Sequence, residues 1–412
     1  QALMSDPTDA MNLADSLVAT SGVVSVDSAA DIQGVTGYDA SNSAYTVSDT
    51  AGAVLSDMGT GAVIDEGVST INVDGPVGAG VGVQLGALED VSLDLATGYS
   101  ADINFNVSDD ANAIAQALAD NGNGALNNAD DVEVIGGDVS MASAAAIQGI
   151  TAYDSGASSY TISDSAEAIL DAPETSIDKG VTVIDVDGPV EAGVGVDLGE
   201  FASGIKAVTG FSSDVQFDVE DSANDIAQAL MSDPTDAMNL ADSLVATSGV
   251  VSVDSAADIQ GVTGYDASGS DYTISDTAGA ILQGSAIVVD SGVEQVFVTD
   301  TVSVADGVSL SDMEVALEAE RGSDTADIDF DVAGSASEII TNAADLSGAS
   351  IVTVTSGAVD ASDGVALNAL EVSLLGDDDA DVHTNVEFSV DDSAAAIASV
   401  LATSGASLDG AE

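Results

Sequence analysis

A chain that carries the same stretch twice is confined to folds that tolerate repetition. Residues 1–55 recur at 228–282, an offset of 227, and differ at only four positions: Asn42/Gly269, Ala44/Asp271, Val47/Ile274 and Val54/Ile281. A half-period lies inside this one, because Val73-Asp74-Gly75-Pro76-Val77 returns as Val186-Asp187-Gly188-Pro189-Val190, 113 residues later. Short periods mean stacked units, since one unit cannot bury its apolar face alone and neighbours must cover it.

Halving again gives the working unit. An aromatic-led strand pattern running into an acidic corner occurs at Tyr45–Asp49, Phe105–Asp109, Tyr160–Asp164, Phe217–Asp221, Tyr272–Asp276, Phe330–Gly334 and Phe388–Asp392. The spacing between corners is 55 to 60 residues. These divide the chain into a partial repeat at 1–55, repeats at 56–113, 114–170, 171–227 and 228–282, and divergent repeats at 283–340 and 341–412. A looser strand-then-helix pair such as Val24–Ile32 falls between corners, so the elementary module is about 28 residues. Gln1 corresponds to Gln228, inside Asp225-Ile226-Ala227-Gln228-Ala229-Leu230. The sequence therefore reads as a window cut from a longer array.

Each part of the module has a local reason. Aromatic-x-Val/Ile alternation has period two and β-favouring residue types. The Asp that follows is expected to cap the next helix, accepting from its first free amides. Ala111, Ile114, Ala115 and Leu118 then recur at helical spacing, and Asn121-Gly122-Asn123-Gly124 closes the return. Strands separated by helices pair most simply in parallel through right-handed crossovers. The expected fold class is α/β, with tandem β/α repeats stacked as an elongated solenoid. A string of small β-rich domains is the alternative, disfavoured because no Pro- or Ser-rich linker separates the units. A β-hairpin over Val208–Phe217 is a competing local layout that would add antiparallel pairs.

Composition limits the partners. Asp and Glu number 72 against three basic residues, Lys179, Lys206 and Arg321, for a net charge of −69. Disorder does not follow, because 45% of residues are hydrophobic and mean hydropathy is +0.29. Carboxylates at this density repel one another over about 10 Å at 0.1 M salt, so the fold should strengthen with counterions or moderate acid. Nucleic acid is excluded as a partner, because displacing phosphate counterions needs Lys and Arg. No apolar stretch approaches a membrane span. There is no cysteine, hence no disulfide or thiolate metal site.

Catalytic chemistry is thin. His383 is the one histidine and sits in the acidic stretch Asp377–His383. No base accompanies the many serines, no carboxylate pair stands out, and Trp is absent, so neither an enzyme nor a small-molecule substrate is expected. The Gly-rich segments 74–86 and 187–199 fit no phosphate-binding loop. Their Val/Gly alternation points to tight β packing or close backbone approach. Structural calcium is the one ligand the residue types favour, because it takes hard oxygen donors. Its candidate ligands are Asp109, Asp110, Asp130, Asp131, Glu220, Asp221, Asp391 and Asp392 at doubled acids, and Asp377, Asp378, Asp379 and Asp381 in the acidic run. Asp120-Asn121-Gly122-Asn123-Gly124 opens like an EF-hand loop but lacks the later ligands.

The recurring Tyr45-Thr46-Val47-Ser48-Asp49-Thr50-Ala51 and Val24–Ile32 phrases resemble repeats of giant secreted bacterial surface proteins, among them type I-secreted adhesins and S-layer-like or filament-forming proteins. The resemblance implies an extracellular or cell-surface location and dependence on calcium. The chain lacks the Gly-Gly-x-Gly-x-Asp nonapeptide of the toxin-like members. With the repetition, it sets the expectation of a structural protein whose partners are copies of itself in a filament or layer. The stalk of a large adhesin is the alternative.

Overall fold

The computed structural model describes residues 15–58, 67–97, 101–173, 177–209, 214–232, 236–322, 327–346, 348–355, 357–374 and 385–403. The chain divides into two compact units, residues 1–188 with 200–216 and residues 189–199 with 217–412. In the first, β1 (Val23–Val24), β2 (Tyr45–Asp49), β3 (Val68–Val73) and β4 (Asp102–Asn104) form one sheet in chain order. A second sheet holds β5 (Asn106–Asp109), β6 (Asp131–Val139), β7 (Ser159–Asp164), β8 (Val181–Val186) and β9 (Asp214–Gln216), again in order. In the second unit β10 (Asp218–Asp221) pairs with β11 (Ser243–Ala246). The larger sheet there is built on β12 (Val250–Val251), β13 (Tyr272–Asp276) and β14 (Val293–Val298). It continues through β16 (Asp327–Gly334), β17 (Ala349–Val354) and β18 (Asn385–Glu387), with β15 (Val302–Ser303) also on β16.

Every strand pairing among the described residues is parallel. The fold is α/β, and the alternation of strand and helix explains the parallel sheets, because a crossover returns the chain in its starting direction. The aromatic-led strands bury one face: Tyr45 and Val47, Tyr160 and Ile162, and Tyr272 and Ile274 are all buried. The other face is polar and cross-linked by side chains. Ser48 Oγ donates to Asp74 Oδ1 (2.7 Å), Ser163 Oγ to Asp187 Oδ1 (2.9 Å) and Asn104 Nδ2 to Asn72 Oδ1 (3.0 Å).

Two local expectations are corrected. Among the described residues no hairpin forms over 208–217: the helix Ala192–Thr209 runs through its start, and β9 pairs in parallel with β8. Leu198, Ala202 and Ile205 are buried at helical spacing, and that stripe overrides the shorter two-residue alternation. The Gly-rich segments are β only at Val77 and Val190, which bridge in parallel to Val107 and Val219, and from Ala79 and Ala192 onward they open the helices Ala79–Thr97 and Ala192–Thr209. Close approach is real, but it is made by helix faces. A Cβ on Gly82 would lie 2.6 Å from Val107 Cγ2, and one on Gly86 1.9 Å from the Ala125 carbonyl oxygen. Gly195 and Gly199 repeat this against Val219 (2.7 Å) and the Ala237 carbonyl oxygen (2.3 Å).

Candidate functional site

The acidic corners are the most repeated polar feature. In six of them the Asp carboxylate receives two backbone donors from different places in the chain. Asp49 Oδ1 accepts from Thr50 N–H (2.8 Å), and its Oδ2 from Val26 N–H (3.1 Å). Asp109 accepts from Asp110 (2.9 Å) and Ala79 (2.8 Å), and Asp164 from Ser165 (2.8 Å) and Met141 (2.9 Å). Asp221 accepts from Ser222 (2.7 Å) and Ala192 (3.0 Å), and Asp276 from Thr277 (2.8 Å) and Val253 (3.1 Å). Asp392 accepts from Ser393 (2.6 Å) and Ala361 (3.1 Å). The distant donor is always the first residue of the preceding helix.

This corrects the expectation that the corner Asp caps the helix after it. That task falls to the next residue: Asp110, Ser165, Thr277 and Ser393 are the N-caps of their helices. The corner Asp, at the end of a strand, instead reaches the positive end of the preceding helix, where a carboxylate is favourable. At the seventh corner Gly334 stands in place of Asp; a Cβ there would meet Val304 Cγ2 at 2.5 Å. Ser335 and Glu338 form a reciprocal capping box instead.

The calcium candidates do not converge. Asp109, Asp221 and Asp392 are engaged as above, and Asp110 Oδ1 accepts from Asn112 N–H (2.9 Å). Asp130, Glu220 and Asp391 are exposed, and Asp131 is a half-buried residue of β6. Asp377, Asp378, Asp379 and Asp381 lie outside the described residues, as does His383. Among the described residues no group of three or more His, Cys, Asp or Glu side chains is placed to hold a metal ion. An open pocket of about 450 Å³ lies between Glu191, Asp221, Asp225 and Gln228. Ser222 Oγ donates to Asp225 Oδ2 (2.5 Å) at its margin.

Sequence reading missed two features. One is a repeated tyrosine network. Gln148 Nε2 donates to Tyr160 OH (2.9 Å), and Tyr153 OH donates to Asp178 Oδ1 (3.2 Å). Gln260, Tyr272, Tyr265 and Asp290 repeat this at 2.8 and 2.6 Å. Burial raises the pKa of all four phenols, so they stay protonated donors. The signal was available as Tyr-Asp seven residues before the strand aromatic, at Tyr38, Tyr153 and Tyr265. The other is Glu314, whose carboxyl is pushed up to about 8 by burial first, then by the charges of Asp327 and Glu318. No sequence signal marked it, because its burial depends on tertiary packing.

Compared with known proteins, the chain matches no family model and no curated protein.

Proposed function

We propose that this chain is a non-catalytic structural protein of the cell exterior, with its strand–helix modules stacked as a solenoid that self-assembles into a filament or surface layer. The observation that carries the reading is the corner carboxylate. The same two-donor bridge recurs at six corners, each tying a strand end to the helix before it. Polar groups used in this way fix a constant step between modules, and a constant step presents identical faces at regular intervals. Cations, calcium among them, enter as counterions that relieve the repulsion of −69 charges.

Negative-stain electron microscopy tests the reading, with the chain first in EDTA and then dialysed into calcium at constant ionic strength. Fibres or sheets are expected, and their appearance only with calcium would make the acidic residues ligands. Separate slender rods under both conditions, and at high salt, would sink the assembly reading and leave an adhesin stalk.

A further inference from the structure

The two edges of β16 are closed by different means. On one side Asp327–Asp329 pair with β14, while β17 joins the other side only from Phe330 onward. The far edge of Asp327–Asp329 therefore has no strand beside it among the described residues. Glu314 takes that place. It lies on the helix Val304–Arg321, which packs on β16. Its carboxyl hydrogen-bonds both the Ile328 backbone amide and the Asp327 carboxyl.

The space is cut to that carboxyl. Gly348 stands just before β17, and a Cβ there would overlap Glu314 Oε2 and lie 3.1 Å from Phe330 Cε1. An earlier module fills the same position differently. Gly195 and Gly307 abut the matching valines Val219 and Val332, and seven residues beyond them stand Ala202 and Glu314. Ala202 is buried and has nothing to titrate. One turn nearer the start of the Glu314 helix, Ser311 Oγ is buried and makes no hydrogen bond.

Burial first, and then the charges of Asp327 and Glu318, keep the Glu314 proton on. Of the other elements packed on this helix, β15 and the helix Ala278–Gln283 carry no acid or base, and the Ala343–Asp345 turn carries only the exposed Asp345. Asp329 and Asp331 alternate along β16 with the buried Ile328, Phe330 and Val332. Asp306, Asp312 and Glu320 are exposed on the helix itself. Its one base, Arg321, is committed to Asp271 Oδ1 (3.2 Å) and the Ser291 carbonyl (3.3 Å).

We propose that Glu314 is a latch on this strand edge, closed while its carboxyl carries a proton and open once the proton leaves. With the proton in place, the carboxyl donates to Asp327 and accepts from Ile328 N–H, joining helix to strand. Without it, two carboxylates share a half-buried place that no cation neutralises, and the end of the helix lifts from β16. Opening lets water reach Ser311 Oγ, which removes the cost of an unpaired hydroxyl. It also bares the Asp327–Asp329 edge to pairing with another strand. The closed form binds a proton that the open form releases, so opening grows as pH rises from 4.5 to about 8 and then levels off. The latch does not rest on the self-assembly reading.

Hydrogen–deuterium exchange of the intact chain tests the latch. Peptides across 310–330 are followed by mass spectrometry, and each rate is divided by its intrinsic rate at that pH. Between about pH 5.5 and about pH 7.5 ordinary carboxylates are already ionised, so the charge of the rest of the chain hardly changes. Corrected exchange in these peptides should rise about tenfold per pH unit over that range. Glu314→Gln supplies a permanent donor and acceptor, and should exchange slowly at both ends of it. Asp327→Asn removes the opposing charge and should shrink the rise. The helix Ala192–Thr209, with Ala202 in the same place, should show no rise. Corrected exchange that is equal at the two pH values, or a rise that persists in Glu314→Gln, would overturn the latch. If circular dichroism shows that Glu314→Gln does not fold, an undiminished rise in Asp327→Asn would overturn it instead.

Discussion

At Asp276 one carboxylate receives hydrogen bonds from Thr277 N–H (2.8 Å) and, from the preceding helix, Val253 N–H (3.1 Å). Removing it leaves the starts of two helices without an acceptor. Asp276→Ala is expected to cost about 2 kcal/mol, the scale of a lost cap or charge-assisted hydrogen bond. Asp258 is exposed in the last turn of its helix, where a negative charge is unfavourable. Asp258→Asn should therefore leave stability unchanged or raise it by about 0.5 kcal/mol. Urea titration of both variants checks the contrast, and equal losses would reduce the corner to one acid among many. The near-copies carry a lesson at the same scale. Ala44 becomes Asp271 where Arg321 is at hand, and Arg321 Nη2 sits 3.2 Å from Asp271 Oδ1 in an ion pair. Val47/Ile274 and Val54/Ile281 differ by a methylene at positions that are fully buried in both copies, so each neighbourhood has adjusted its packing to its own copy.

Helices beside these sheets are set by which glycines face the sheet. In the helix Ala79–Thr97, Gly80 faces open space, whereas Gly86 abuts the Ala125 carbonyl oxygen, 1.9 Å from where a Cβ would sit. Gly80→Ala should stabilise the chain by about 0.5–1 kcal/mol, the difference in helix propensity. Gly86→Ala should destabilise it by roughly 1–3 kcal/mol or more, because backbone must move. Thermal melting of the two single variants gives opposite shifts if the helix packs as described. A Gly86→Ala variant that melts higher would mean that the helix stands away from the Ala125–Asn128 turn. Helix-face glycine of this kind was readable as close approach, but the element type was not. The Val/Gly alternation carries period two, while the helix is held by contacts from residues far along the chain.

For the molecule as a whole, self-repulsion and burial act on stability in the same direction with pH. Screening 72 acidic side chains by salt should raise the melting temperature, and a temperature indifferent to ionic strength would remove repulsion from the account. Glu314 adds a specific pH slope. Its folded pKa, about 8, lies above its ordinary value of 4.5, so the folded chain binds a proton that the unfolded chain releases. Stability from this group is full below about pH 4.5 and declines as pH rises towards 8. Glu314→Gln should flatten that part of the pH dependence and leave the salt dependence intact.

By itself the sequence pointed to the α/β class, the strand–helix alternation, parallel pairing and the strands led by Tyr45, Tyr160, Tyr272 and Phe330, because these follow from local periodicity and crossover geometry. Tertiary structure alone decided where each polar group points. Asp49 and its five counterparts looked like caps for the helix that follows, since cap chemistry is read from neighbours in sequence. Their second donor comes from the preceding helix, a relation that exists only once the modules lie side by side. The same holds for the burial of Glu314. Leu244 and Ala246 are buried where the identical Leu17 and Ala19 are half-buried, because burial belongs to the neighbour as much as to the residue.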